Sequence, residues 1–190
     1  FFANRDGKNG DEGIVRQAVY ITPTPVNVGD ITTDKYVGMT FNVTDMSGLK
    51  SAKPKTILVD NVKATKAITS PIHLDTVNGD VEIRGITDDG LGSGIKSVMY
   101  QIGRDANLTE DVSKWTLASG TISWKIELKG GNSINNFANG DSGEALSGKD
   151  TGLYKVPIVI RIEDNAGNVS IPTEDQRWDY SLKVDPNGDR

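Results

Sequence analysis

The side chains able to do chemistry are of few kinds. The one histidine, His73, lies in "SPIHLD". A hydroxyl nucleophile needs such a base within hydrogen-bond reach. No G-x-S-x-G elbow accompanies it, so His73 is expected to be a partly exposed residue beside a strand. The chain has no cysteine, which excludes disulfides, thiolate metal sites and a cysteine nucleophile. Carboxylates are plentiful. Asp88 with Asp89, or Asp75 with Asp80, would be the pairs for glycoside hydrolysis, which needs two carboxyls at a set separation across a cleft. All four sit among turn residues, where aspartate is ordinary. The expectation is a protein that is not an enzyme.

Calcium fits the acids better than catalysis does. Asp88, Asp89, Asp164 and Asn165 lie in inter-strand turns and offer the hard oxygen ligands that calcium prefers. Asp60 and Asp185, in short linkers, could add ligands to a site between neighbouring modules. Two features weigh against such a site. No D-x-D-x-D-G loop is present, and if segments 83–89 and 160–164 run in opposite directions, their turns fall at opposite ends of the fold. Among the three tryptophans, Trp124 and Trp178 alternate with apolar neighbours and read as core. Trp115, in "VSKWTL" near a polar loop, is the candidate ligand-binding ring, because flat apolar rings suit sugar faces. Lys96 shares the parity of Val98 and Tyr100. If it points inward, it is a candidate for an intramolecular Lys–Asn isopeptide bond.

These side chains must be positioned by strands. The pattern alternates with a period of two, as half-buried antiparallel strands do. Val81 and Ile83 share a face, as do Val98, Tyr100 and Ile102. So do Ile122, Trp124, Ile126 and Leu128. The longest series is Tyr154, Val156, Ile158, Ile160 and Ile162, and the last is Trp178, Tyr180, Leu182 and Val184. Helical periodicity is nearly absent. Gly, at 21 of 190 residues, is frequent, and turn signals such as "DDGLGSG" and "DNAGN" separate the runs. With a first strand near 72–74 and a short one near 115–117, residues 66–190 are expected to hold the strands of an immunoglobulin-like antiparallel β-sandwich. Segment 130–152, rich in Gly, Asn and Ser, reads as a long exposed loop. Residues 1–65 read as a shorter related β-segment or partial domain. The chain starts in mid-pattern at Phe1 and reads as a piece of a longer one. Its net charge of −5 and lack of a dense basic run argue against nucleic acid as a partner. Its longest apolar run is far short of the ~20 residues that span a bilayer.

The stretch "IRIEDNAGNVS" has an ungapped counterpart in "FNVTDMSGLKS", with Asp45 against Asp164 and Gly48 against Gly167. "FFANRDGKNG" followed by "AVYITP" reads as a third, degraded copy. An array of sandwiches, each closing with the same hairpin and a short "VD" linker, is the expectation.

On "GDVEIRGITDDGLGSGIKSVMYQI", "SWKIEL", "GLYKVPIVIRIEDNAGNVS" and the closing "LKVD", the chain resembles the bacterial immunoglobulin-like repeat domains of large surface and secreted proteins. The resemblance covers 66–190 as a module and 1–65 in pieces. It implies an extracellular, non-catalytic role as spacer, stalk or adhesive domain. The alternative is a carbohydrate- or protein-binding accessory module of a larger secreted enzyme. The implied partners are neighbouring modules of the same polypeptide and a host or matrix protein or glycan. No cofactor beyond calcium is implied. Pro157 departs from the pattern, because a central strand has no place for a missing N–H; a bulge or an edge position is expected there.

Overall fold

The computed structural model describes residues 2–4, 15–17, 32–44 and 47–190. The chain forms two compact units, Phe1–Val59 and Asp60–Arg190. The boundary lies ahead of residue 65 because Asp60 and Ala64 are already buried in the second unit.

In the first unit, β1 (Phe2–Asn4) pairs antiparallel with β2 (Val15–Gln17). A long hairpin joins β3 (Lys35–Thr44) to β4 (Lys50–Val59), in register from Lys35 opposite Val59 to Thr44 opposite Lys50. Gly48 in its turn has φ +88°, and Gly167 in "DNAGN" has φ +95°. Both turns use the left-handed backbone that glycine adopts without a steric penalty. Residues 5–10 and 18–23 of the expected third copy lie outside the described residues.

The second unit contains β5 (Thr65–Ser70), β6 (Thr76–Val77), β7 (Val81–Asp88), β8 (Ile95–Ile102), β9 (Thr116–Leu117), β10 (Ser123–Leu128), β11 (Glu144–Ala145), β12 (Tyr154–Asp164), β13 (Val169–Ser170) and β14 (Ser181–Val184). One sheet has the order β10-β7-β5. The other has the order β6-β14-β12-β8-β9, with β11 and β13 also on β12. All pairings are antiparallel except β6 with β14, which is parallel. This is an antiparallel β-sandwich of immunoglobulin-like strand order. Ile83, Trp124, Ile126 and Leu128 from one sheet meet Val98, Val156, Ile158, Ile160, Ile162, Leu182 and Val184 from the other. Each such side chain stabilises the fold by about 1.5–3 kcal/mol when fully buried.

Several expectations change. The first strand is Thr65–Ser70, not 72–74. Ile122 lies ahead of β10 and is exposed, because the strand starts only at Ser123. Trp178 precedes β14 and is half-buried, with the Lys155 ammonium 5.1 Å above its ring. Segment 130–152 is no open loop. It winds through short 3-10 turns and β11, and its Ile134, 0% exposed, plugs the core.

Pro157 sits inside β12 without a bulge. There β12 changes partners, pairing with β14 over Tyr154–Pro157 and with β8 from Ile158 onward. The Pro157 carbonyl accepts from Gly103 N on the β8 side. The missing N–H therefore faces the point where β8 has just ended. The register irregularity lies further along, between Glu163 and Asp164, opposite Lys96. That extra residue breaks the alternation of β8 and turns Lys96 outward, where it pairs with Glu163 at 2.6 Å. An inward-facing Lys96 is thereby excluded.

Candidate metal centre

β8 runs antiparallel to β12, and β7 reverses into β8. β7 and β12 therefore run the same way in different sheets, and their terminal turns meet at one pole. The premise that would have separated them does not hold. Asp60, Asp89 and Asp164 each place a carboxylate oxygen within 4.8 Å of the others.

Each acid is held by the turn around it. Asp164 ends β12 on its inward face and is 0% exposed. Its Oδ1 accepts from Asn168 N at 2.8 Å, and its Oδ2 from Asn168 Nδ2, also at 2.8 Å. Asp60 Oδ2 accepts from Ser93 N at 2.6 Å, and Asn168 Nδ2 donates to Asp60 Oδ1 at 3.1 Å. Asp89 Oδ2 accepts from Gly94 N at 2.7 Å. The 88–94 turn thus supplies both one acid and the amide that orients another. Asn168 ties the linker acid to the strand-end acid.

Oxygens on one calcium lie 2.3–2.6 Å from it, so two ligands of one shell are at most about 5 Å apart. The three carboxylates meet that condition with little movement. Water and nearby carbonyls would have to complete the six to eight ligands that calcium takes.

Of the sequence candidates, Asp89 and Asp164 are brought together and Asp60 joins them. Asp88 does not: it is exposed and caps Gly90 N with its Oδ1 at 2.8 Å. Asn165 is at the same pole, but its side chain donates to the Ser93 carbonyl at 3.0 Å and clamps the two turns. Asp185 is at the opposite pole, 1% exposed. Burial works to raise its pKa, but the N–H groups of Arg190, Gly188, Asn187 and Asp189 prevail and hold it below the usual carboxylate range. Asn168 and Ser93 were not foreseen. Their signal was their place in the same two turns, which becomes informative only once those turns are known to meet.

Trp115 presents no ring to solvent. It is 6% exposed, packs with Ala106 and Val159, and donates from Nε1 to the Thr109 carbonyl at 2.9 Å. Segment 103–115 folds over the outer face of β12, and Trp115 is its anchor. His73 accepts from Ser181 N through Nδ1 at 3.1 Å. Asp75 caps Ile72 N, and Asp80 caps Gly130 N. These groups serve turns and do not converge on a cleft. No helix among the described residues is long and apolar enough to cross a membrane. No protein-family model matches the chain, and no curated protein is recognisably similar to it.

Proposed function

We propose that this chain is a non-catalytic extracellular segment of a bacterial surface or secreted protein, in which the sandwich acts as a load-bearing spacer stiffened by calcium. One observation carries the reading. The second unit begins at Asp60, at the pole where β12 ends, and its last strand finishes at Val184, at the pole where β12 begins. The eleven residues of β12 separate the poles by roughly 33 Å. Modules joined in this way add length end to end.

The parallel pair β6–β14 lies across that load path. Leu74 N donates to Ser181 O at 2.8 Å, Lys183 N to Asp75 O at 2.9 Å and Asp185 N to Val77 O at 2.9 Å. Pulling the two poles apart loads these bonds in shear, so they must break together. In single-molecule pulling of the full chain, the second unit is expected to unfold in one event. Val77→Pro, which removes a ladder donor, should lower the force markedly. An unchanged force, or stepwise peeling, would overturn the load-bearing role.

Calcium would bind at Asp60, Asp89 and Asp164, where the chain comes into the sandwich. At free calcium 100-fold above Kd, binding adds about 2.7 kcal/mol of stability, a rise in Tm of about 10 °C. Asp164→Asn should abolish that rise. Without calcium it should already melt below the parent, because a single amide oxygen cannot accept from both Asn168 N and Asn168 Nδ2 as the carboxylate does, so the metal's part is read as the rise each protein gains between EDTA and calcium. Identical melting in calcium and in EDTA would remove the metal from the reading.

A further inference from the structure

The sandwich is open along one side. β9 pairs with β8 only at Met99 and Tyr100, and the chain then crosses to the other sheet, where Ser119 bridges Lys125 on β10. Beyond that crossing no strand links Gln101 and Ile102 of β8 to Glu127 and Leu128 of β10. The gap is a cleft of about 330 Å³, lined by Tyr100, Gln101, Thr116, Glu127, Asn132 and Phe137 among others. A second chamber of about 310 Å³ adjoins it, sharing Tyr100 and Glu127 and adding Leu117, Ser119 and Lys125. Each lies at the small end of the range for ligand sites.

We propose that these paired chambers form a saccharide-binding cleft for two adjoining sugar units of a neutral glycan. Phe137 and Tyr100 supply aromatic surface for the apolar face of a pyranose ring. Around them stand groups suited to hydroxyls: the Tyr100 and Thr116 hydroxyls, the Asn132 amide and the Glu127 carboxylate. Among the described residues, the first three side-chain groups have no hydrogen-bond partner. Burial holds the Tyr100 phenol above its ordinary pKa, so it stays a donor. Lys125 and Lys129 pair with Glu127 and hold its carboxyl down at about 2, so it remains an acceptor. Lys125 also pairs with Glu82 at 3.3 Å, so the two lysines stand against two carboxylates, which favours a neutral ligand over an anionic one. The first chamber is walled by the 3-10 turns Gly130–Asn132 and Ile134–Phe137. That wall suits a compact ligand better than an extended strand added to the β10 edge.

The cleft goes beyond the spacer reading and is tested apart from it, since pulling and calcium melts read the poles and not this side. The test is amide-shift mapping of the ¹⁵N-labelled full chain against cellobiose, chitobiose, maltose, lactose and their tetrasaccharides. The expected result is saturable shifts at Tyr100, Glu127 and Asn132. Binding should weaken about tenfold in Tyr100→Phe and in Asn132→Ala, an exposed position that leaves the fold intact. Three outcomes would overturn the proposal: no shift with any sugar, shifts confined to another surface, or shifts along β8 and β10 only with an extended peptide.

Discussion

Trp124→Ala is expected to destabilise the second unit by about 4 kcal/mol, the scale of a large-to-small change in a closed core. The indole is 2% exposed. Its floor is Gly85, directly opposite on β7. A Cβ at Gly85 would stand 2.1 Å from Trp124 Cζ2 and 2.7 Å from the Ala67 carbonyl oxygen, closer than atoms approach. Gly85→Ala alone should therefore cost about 3 kcal/mol by overpacking. The two effects are coupled. In the double variant the clash with the indole is gone and the new methyl occupies part of the cavity. The clash with the Ala67 oxygen remains. The summed loss should fall short of additivity by at least ~1 kcal/mol. Urea unfolding of the four proteins reads the cycle directly. Strict additivity would mean that the ring and Gly85 do not share the space described.

Glu163→Ala is expected to cost about 3–5 kcal/mol, because it strands a buried charge. Arg161 projects from the outer face of β12 with its side chain 3% exposed, and its Nη2 meets Glu163 Oε2 at 3.0 Å. Its Nε has no hydrogen-bond partner, so Glu163 is the carboxylate that compensates it. The second pair of Glu163, to Lys96, is 59% exposed on the lysine side. Lys96→Ala should cost no more than about 1 kcal/mol. The contrast separates the buried pair from the surface pair. The pH dependence follows from the same geometry. Lys96, and then Arg161 against the opposing effect of burial, hold the Glu163 carboxyl below its ordinary 4.5. A lowered folded pKa means that the stabilisation is complete above about pH 4.5 and is lost as pH falls through the folded value. The stability gap between parent and Glu163→Ala should thus be widest near neutrality and shrink in acid. A gap independent of pH would show that packing, not charge, is what the variant removes.

Much of this protein is local and was therefore legible. The alternation that buries Ile83, Trp124, Val98 and Ile160 is a property of pleated strands, and the Asp-Asn-Gly turns are a property of the residues in them. Where a local irregularity intervened, the reading failed. The extra residue at Lys96 reversed a side chain, Ile122 fell one position short of its strand, and the 103–115 segment covered Trp115. Pro157 is tolerated only because β8 happens to end beside it, at Ile102. None of these depends on the residue's own neighbours in sequence.

The candidate metal centre marks the same division. Aspartates at 60, 89 and 164 are evident in the chain as turn and linker acids. Whether they lie together or at opposite poles depends on the directions of β7 and β12, which are set by how both pair with the rest of the sandwich. The cleft beside Tyr100 is more remote still, since it exists only where one crossing segment fails to close two sheets. Which residues face inward and where the chain turns follow from the order of residues, because sterics and burial act over a few positions. Which turns, acids and sheet edges meet follows from long-range packing, because those contacts join residues up to about a hundred positions apart, as in the Asp60–Asn168 bond.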